Sequence, residues 1–221
     1  MQETKKLQVA ILLYDGMTAL DAIGPYEVLQ APTLNTDVRF VAREKGVKQT
    51  DFGKLRLTAD YTLDEPPHPD ILVVPGTAYP KAIMGDQQVI EWIAQVHQTT
   101  KWTTSVCTGA LGLAAAGVLR GLKATTHWLA HDVLIQFGAI PVKQRVVRDG
   151  KVFTAAGVSS GIDMALTLVA EEFGANAAQL TQLLIEYDPQ PPFDAGSPDK
   201  APSLIVNEAR EAFAKLQATS Q

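Results

Sequence analysis

Two short runs that are apolar on both faces constrain this chain most: Leu7 to Tyr14 (LQVAILLY) and Asp70 to Val74 (DILVV). A strand with one wet face alternates apolar and polar residues, whereas a strand covered on both sides does not, so these runs predict a parallel sheet sandwiched between helices. The segments between them support that reading. Helical spacing covers about Thr18 to Gln30, with Pro32 beyond it, and Asp86 to Thr99, where Val89, Ile90, Ile93, Ala94 and Val96 fall mostly on one face. Further strands are expected at Asp37 to Ala42, at Leu55 to Leu63 as a hairpin or edge, and at Trp102 to Val106. A hairpin turning at Asp149-Gly150 is expected over Gln144 to Ala155. Helices are expected after Cys107-Thr108-Gly109, at Thr126 to Gln136, Gly161 to Phe173 and Asn176 to Tyr187. The alternation predicts an α/β fold, a three-layer sandwich with a twisted, mainly parallel sheet and helices on both faces.

With 221 residues and 46% hydrophobic content, one core is enough, and a single domain over 1–221 is expected. Its last part is a Pro-rich segment, 188–202, whose five prolines forbid regular helix, followed by an amphipathic helix over 203–216. A net charge of −5 offers no excess of cations for a phosphate backbone, so no nucleic acid partner is expected. The single cysteine cannot close an intrachain disulfide, which suits a reducing, cytoplasmic location. The first apolar run is too short to span a membrane and follows a polar Met1 to Lys6 with no cleavage signal. No membrane association and no removed leader are expected.

Cys107 follows a buried strand and opens a helix, the address at which ligands collect in such sheets. Main-chain N–H groups at a helix start favour a thiolate, so a lowered thiol pKa and a nucleophilic role are expected. A lone cysteine also serves as a small buried hydrophobe, but the strand-turn-helix setting argues for the active-site reading. Asp21, in the first turn of the helix after the first strand, is read equally well as a helix-capping acid or as a site residue. His127 and His131 stand four apart on the expected helix, a spacing that can hold a metal, yet no third ligand is arranged near them, and they are read as structural. Asp163 is expected to bond at a helix start, Glu27 and Asp15 to be solvated, and Trp102 and Trp128 to belong to the core or an interface. No phosphate loop or metal cluster is present, so no cofactor is expected.

Four segments carry a family likeness: Leu20-Asp21-x-x-Gly24-Pro25, Ser105-Val106-Cys107-Thr108-Gly109-Ala110, Ala124-Thr125-Thr126-His127-Trp128 and Gly157-Val158-Ser159-Ser160-Gly161-Ile162-Asp163. They resemble the ThiJ/PfpI superfamily, which shares the class I glutamine amidotransferase-like fold. The tail Tyr187-x-Pro189-x-Pro191-Pro192-Phe193-x-Ala195-Gly196-Ser197-Pro198 resembles most the isocyanide hydratase branch, whose members add water to R–N≡C to give an N-substituted formamide. The resemblance implies a nucleophile at Cys107, an acidic partner at Asp21 with a raised pKa, and a polar contact at Thr108. It also implies a backbone N–H at Gly76 opposite that of Thr108, and a Val158 carbonyl facing the sulfur. Thr77 and His127 would border the pocket. The substrate would be a small isocyanide, and the relatives imply a homodimer.

Peptidase-like and deglycase-like branches carry Glu where this chain has Asp21, and the peptidase-like branch has His where it has Thr108. True amidotransferases need a late His and Glu, whereas the last histidine here is His131. The rival reading is a ligand or redox sensor, since the sensor domains of AraC-type regulators share the CTG and ATTHW motifs. Those regulators continue into a basic DNA-binding region of about a hundred residues, whereas about thirty acidic-leaning residues follow Tyr187 here.

Overall fold

The computed structural model describes residues 5–65 and 68–218. Residues 1–4, part of the segment behind the expectation of no removed leader, lie outside the described residues. In chain order the elements are β1 (Leu7–Leu12), α1 (Ala19–Leu29), β2 (Thr36–Ala42), β3 (Gly46–Gln49), β4 (Arg56–Ala59), β5 (Tyr61–Thr62) and β6 (Ile71–Val74). Then come α2 (Lys81–Met84), α3 (Gln87–Thr99), β7 (Trp102–Val106), α4 (Gly109–Ala115) and β8 (Lys123–Ala124). After a 3-10 turn at Trp128–Ala130 follow α5 (His131–Gln136), β9 (Ile140–Pro141), β10 (Val146–Asp149), β11 (Val152–Ala155), α6 (Ser160–Phe173), α7 (Ala175–Leu184) and α8 (Ser203–Ala218).

The main sheet runs β10-β11-β7-β6-β1-β2-β5, parallel throughout except for β10, which forms the expected hairpin with β11. β6 is buried at all four positions and β7 at all five, as both-faced coverage requires. Helices α1, α6 and α7 pack together in one layer and α2 to α5 in the other. The chain leaves β1 toward β2 on one side and returns to β6 on the other, so strand order reverses between β1 and β6. The carboxyl ends of these two strands are the usual place for a ligand in such a sheet, and here the loops beyond them are tied together, the Thr18 N–H donating to the Gly76 carbonyl at 2.8 Å.

Two glycines let α1 close on α6 and α6 close on the sheet. A Cβ at Gly24 would stand 3.1 Å from the Ile162 side chain, and one at Gly161 would stand 3.0 Å from Val106. Close approach of helix to helix at Gly24 and of helix to strand at Gly161, more than turn flexibility, is what these motif glycines supply.

Three expectations need correction. The Leu55 to Leu63 segment splits: Arg56–Ala59 pairs antiparallel with Gly46–Gln49, a strand the sequence reading missed, while Tyr61–Thr62 joins the main sheet edge beside β2. The expected helix over Thr126 to Gln136 is broken. His127 caps the 3-10 turn and His131 begins α5, so the two histidines do not share a helix face. The short helix α2 was also missed, because Pro80 and Gly85 bracket four residues, too few to show a period. The stretch from Ile185 to Pro202 carries no helix or strand, as its prolines require.

Candidate active site

Cys107 is held with φ of 57°, in the left-handed region that L side chains disfavour. Three contacts over-determine that strain. The Cys107 N–H donates to the Ala155 and Ala156 carbonyls at 3.1 and 2.9 Å, and the Thr126 hydroxyl donates to the Cys107 carbonyl at 2.8 Å. Gly109 is obligatory, since a Cβ there would stand 2.1 Å from the Val74 carbonyl oxygen. The CTG and ATTHW motifs thus meet in space: one makes the turn and the other pins it.

Asp21 is fully buried in the first turn of α1, yet it caps nothing there. Its Oδ2 accepts a 2.9 Å hydrogen bond from the Gly76 N–H in the loop after β6, and Thr18 occupies the cap position. That contact decides against the helix-capping reading. Burial pushes the Asp21 carboxyl up to about 8, helped by the negative charge of Asp51 and opposed by the Gly76 N–H and the adjacent Cys107 thiol. Oδ1 is buried with no hydrogen-bond partner among the described residues.

The thiol overturns an expectation. Cys107 is 5% exposed, and burial followed by the neighbouring Asp21 carboxylate pushes it up to about 12. N–H groups of Thr108 and Val158 pull the other way, as the sequence reading supposed, but two main-chain donors do not outweigh desolvation beside a carboxylate. α4, only seven residues long and starting at Gly109, adds little dipole. At rest the site therefore holds a thiol beside a protonatable carboxyl, and any thiolate must form as a proton is handed over.

The other site residues fall out unevenly. Thr108 is buried, and its hydroxyl donates to the Thr77 carbonyl at 2.6 Å and accepts from the Thr77 N–H at 2.7 Å. It locks the loop after β6, while its N–H faces the sulfur. Gly76 is close to where it was expected, but its N–H is committed to Asp21 and is not free to face a substrate. A Cβ there would stand 2.5 Å from the Thr108 nitrogen. At Val158 it is the N–H, not the carbonyl, that meets the sulfur, and its φ of 21° marks a second strained position. Thr77 is buried, its hydroxyl donating to the Gly16 carbonyl at 2.5 Å, so it braces the loop. His127 lies along Gly157, with its ring stacked at 6.4 Å on Phe213 of α8.

Several neighbours escaped the sequence reading. Tyr14 was read as the end of an apolar strand, and Asp51 sits in a turn that only the fold brings to Thr18, whose hydroxyl donates to it at 2.7 Å. Glu27 and Asp15 are exposed, as expected, and Trp102 is a core residue. Asp163, expected to bond at its own helix start, instead receives Arg145 at 2.5 Å and the Tyr187 hydroxyl at 3.0 Å.

A model of the DJ-1/PfpI family matches residues 7–171, most of the chain and all of the site. The chain belongs to the DJ-1/PfpI family. It is 47% identical over 205 residues to an isonitrile hydratase of Pseudomonas putida, covering 93% of this chain and 89% of that one. Its structure matches the crystal structure of a ThiJ/PfpI family protein from Pseudomonas syringae with a TM-score of 0.91 and 38% identity, over 96% of this chain and 88% of that chain. The sensor-type likeness is narrower: the regulator CdhR of Pseudomonas aeruginosa is 32% identical over 92 residues, 41% of this chain and 27% of the regulator.

Proposed function

We propose that this DJ-1/PfpI protein is an isocyanide (isonitrile) hydratase with Cys107 as nucleophile and Asp21 as the proton carrier. One observation carries the reading: the only cysteine of the chain stands, strained and slightly exposed, against a buried carboxyl whose pKa is pushed up to about 8. A carboxyl poised there can both take and return a proton near neutral pH. The near-full-length likeness to an isonitrile hydratase supports the substrate class.

The terminal carbon of R–N≡C must gain one bond to sulfur and one to hydrogen. As the sulfur attacks, the thiol proton passes through Asp21 to that carbon, giving the thioimidate R–N=CH–S–Cys107 with no net gain or loss of protons. Water then adds to the C=N carbon, its proton going to nitrogen through Asp21. Collapse of the adduct expels the thiol and releases R–NH–CHO. The Thr108 and Val158 N–H groups steady the charge that passes through sulfur during both expulsion and attack.

A homodimer is part of the proposal. Leu180, Leu183, Leu184, Phe193, Leu204 and Ile205 are large apolar residues exposed on α7, the Pro-rich stretch and α8, an apolar area that a second copy would cover.

The test is formamide production from an aryl isocyanide. Wild-type protein is expected to turn over, Cys107→Ala to lose at least 10³-fold in rate, and Asp21→Ala about 10²- to 10⁴-fold. A folded wild type that leaves the isocyanide untouched over hours, yet binds it, would favour the sensor reading instead.

A further inference from the structure

The Asp21 carboxyl does not rest on Gly76 alone. The Gly76 N–H belongs to the same peptide unit as the Pro75 carbonyl, and the buried Tyr14 hydroxyl donates to that carbonyl at 2.8 Å. We propose that Tyr14 is a positioning residue for Asp21, acting through the single peptide between Pro75 and Gly76. The inference rests on the reading of Asp21 as proton carrier.

The physical reason is amide resonance. A donor on the carbonyl oxygen increases the double-bond character of the C–N bond and makes the N–H at the far edge of the same plane a better donor. The relay runs Tyr14 O–H to Pro75 C=O, then Gly76 N–H to Asp21 Oδ2, every member buried and no water needed. It holds the carboxyl's orientation and favours its charged form, against the burial that opposes it. Tyr14 itself stays neutral, because burial and then the charges of Asp21, Cys107 and Asp51 keep its phenol well above the usual range. The titratable groups facing Asp21 are thus Cys107 from the β7 turn, Asp51 from the loop after β3, and Tyr14 from the end of the β1 run. Only Tyr14 is joined to it through a peptide whose two polar atoms are both engaged.

The sole cysteine allows a test that needs no isocyanide: carbamidomethylation of Cys107 by iodoacetamide, followed by intact mass as a function of pH. Tyr14→Phe keeps the ring and deletes the donor. It is expected to shift the Asp21-governed inflection up by a few tenths of a pH unit, slowing the reaction about twofold on the rising limb. Tyr14→3-fluorotyrosine, a stronger donor of nearly the same size, is expected to shift it down. In an Asp21→Asn background neither change should move the profile. The proposal is overturned if the Tyr14→Phe profile superimposes on wild type, or if its shift persists without the carboxylate. Should Tyr14→Phe fail to fold, an unmoved 3-fluorotyrosine profile overturns it as well. A missing hydratase activity with these shifts intact would sink the substrate assignment and leave the relay standing. Normal hydratase activity with no shifts would do the reverse.

Discussion

At its N-terminal end, β7 begins among polar groups that are all engaged. Thr103 Oγ1 bonds His97 Nδ1 at 2.9 Å and Thr100 Oγ1 at 2.8 Å, Trp102 donates to Glu172 at 2.7 Å, and the Lys151 ammonium donates to the Thr100 carbonyl at 3.0 Å. About five residues later the same strand leads into Cys107, in a left-handed conformation, its thiol kept protonated by burial and set beside a carboxyl oxygen with no hydrogen-bond partner among the described residues. One end is built as buried polar groups ordinarily are, each with a partner. The other keeps strain and an unmet hydrogen-bond capacity that a stable fold would otherwise remove, and such features collect where chemistry is done.

The largest test of this contrast is the pH dependence of stability. The folded pKa of Asp21 is raised from 3.8 to about 8, so the folded state holds a proton that the unfolded chain releases. Its contribution is most favourable below the unfolded value and falls as pH rises, levelling off only above the folded value. The slope is at most about 1.4 kcal/mol per pH unit between those limits. Asp21→Asn keeps an acceptor for Gly76 and removes the titration. Its melting temperature should therefore decline less from pH 5 to pH 8 than that of wild type, as measured by calorimetry. Parallel declines would mean that the carboxyl is not buried as described.

Next in size is Gly76→Ala. The added carbon would meet the Thr108 nitrogen at 2.5 Å, backbone against backbone, so a loss of about 3 kcal/mol in denaturant stability is expected. The smallest effect is expected at the other end. Trp102→Phe deletes the bond to Glu172, which keeps its Lys101 partner, and should cost about 1 kcal/mol while leaving turnover unchanged. A turnover loss there would break the division between the two ends.

The layers were legible because both-faced apolar runs and amphipathic helices carry their period in the sequence. Trp102–Val106 emerged with the expected bounds, and the hairpin turns at Asp149-Gly150 as expected, with its first strand beginning at Val146 rather than Gln144. The broken helix at His127 and the three short strands around Gly53 were not legible, because elements of two to four residues are settled by their neighbours and show no period. In the site, the pairing of Cys107 with Asp21 and the raising of Asp21 were implied by the family resemblance alone, the residues themselves leaving Asp21 open between a cap and a site residue. The thiol's upward shift was not anticipated, since a helix-start argument counts local N–H donors and cannot count the desolvation imposed by the rest of the fold.

By itself the sequence determined the alternation of both-faced strands with helices and the place of Cys107 between a strand and a helix, since each is a pattern in residues close along the chain. The tertiary structure alone decided which groups share a proton and which amides are free. Asp21 meets Gly76 across 55 positions, and Thr108 meets Thr77 across 31. Electrostatic character depends on distance and burial in three dimensions, and neither is written in local pattern.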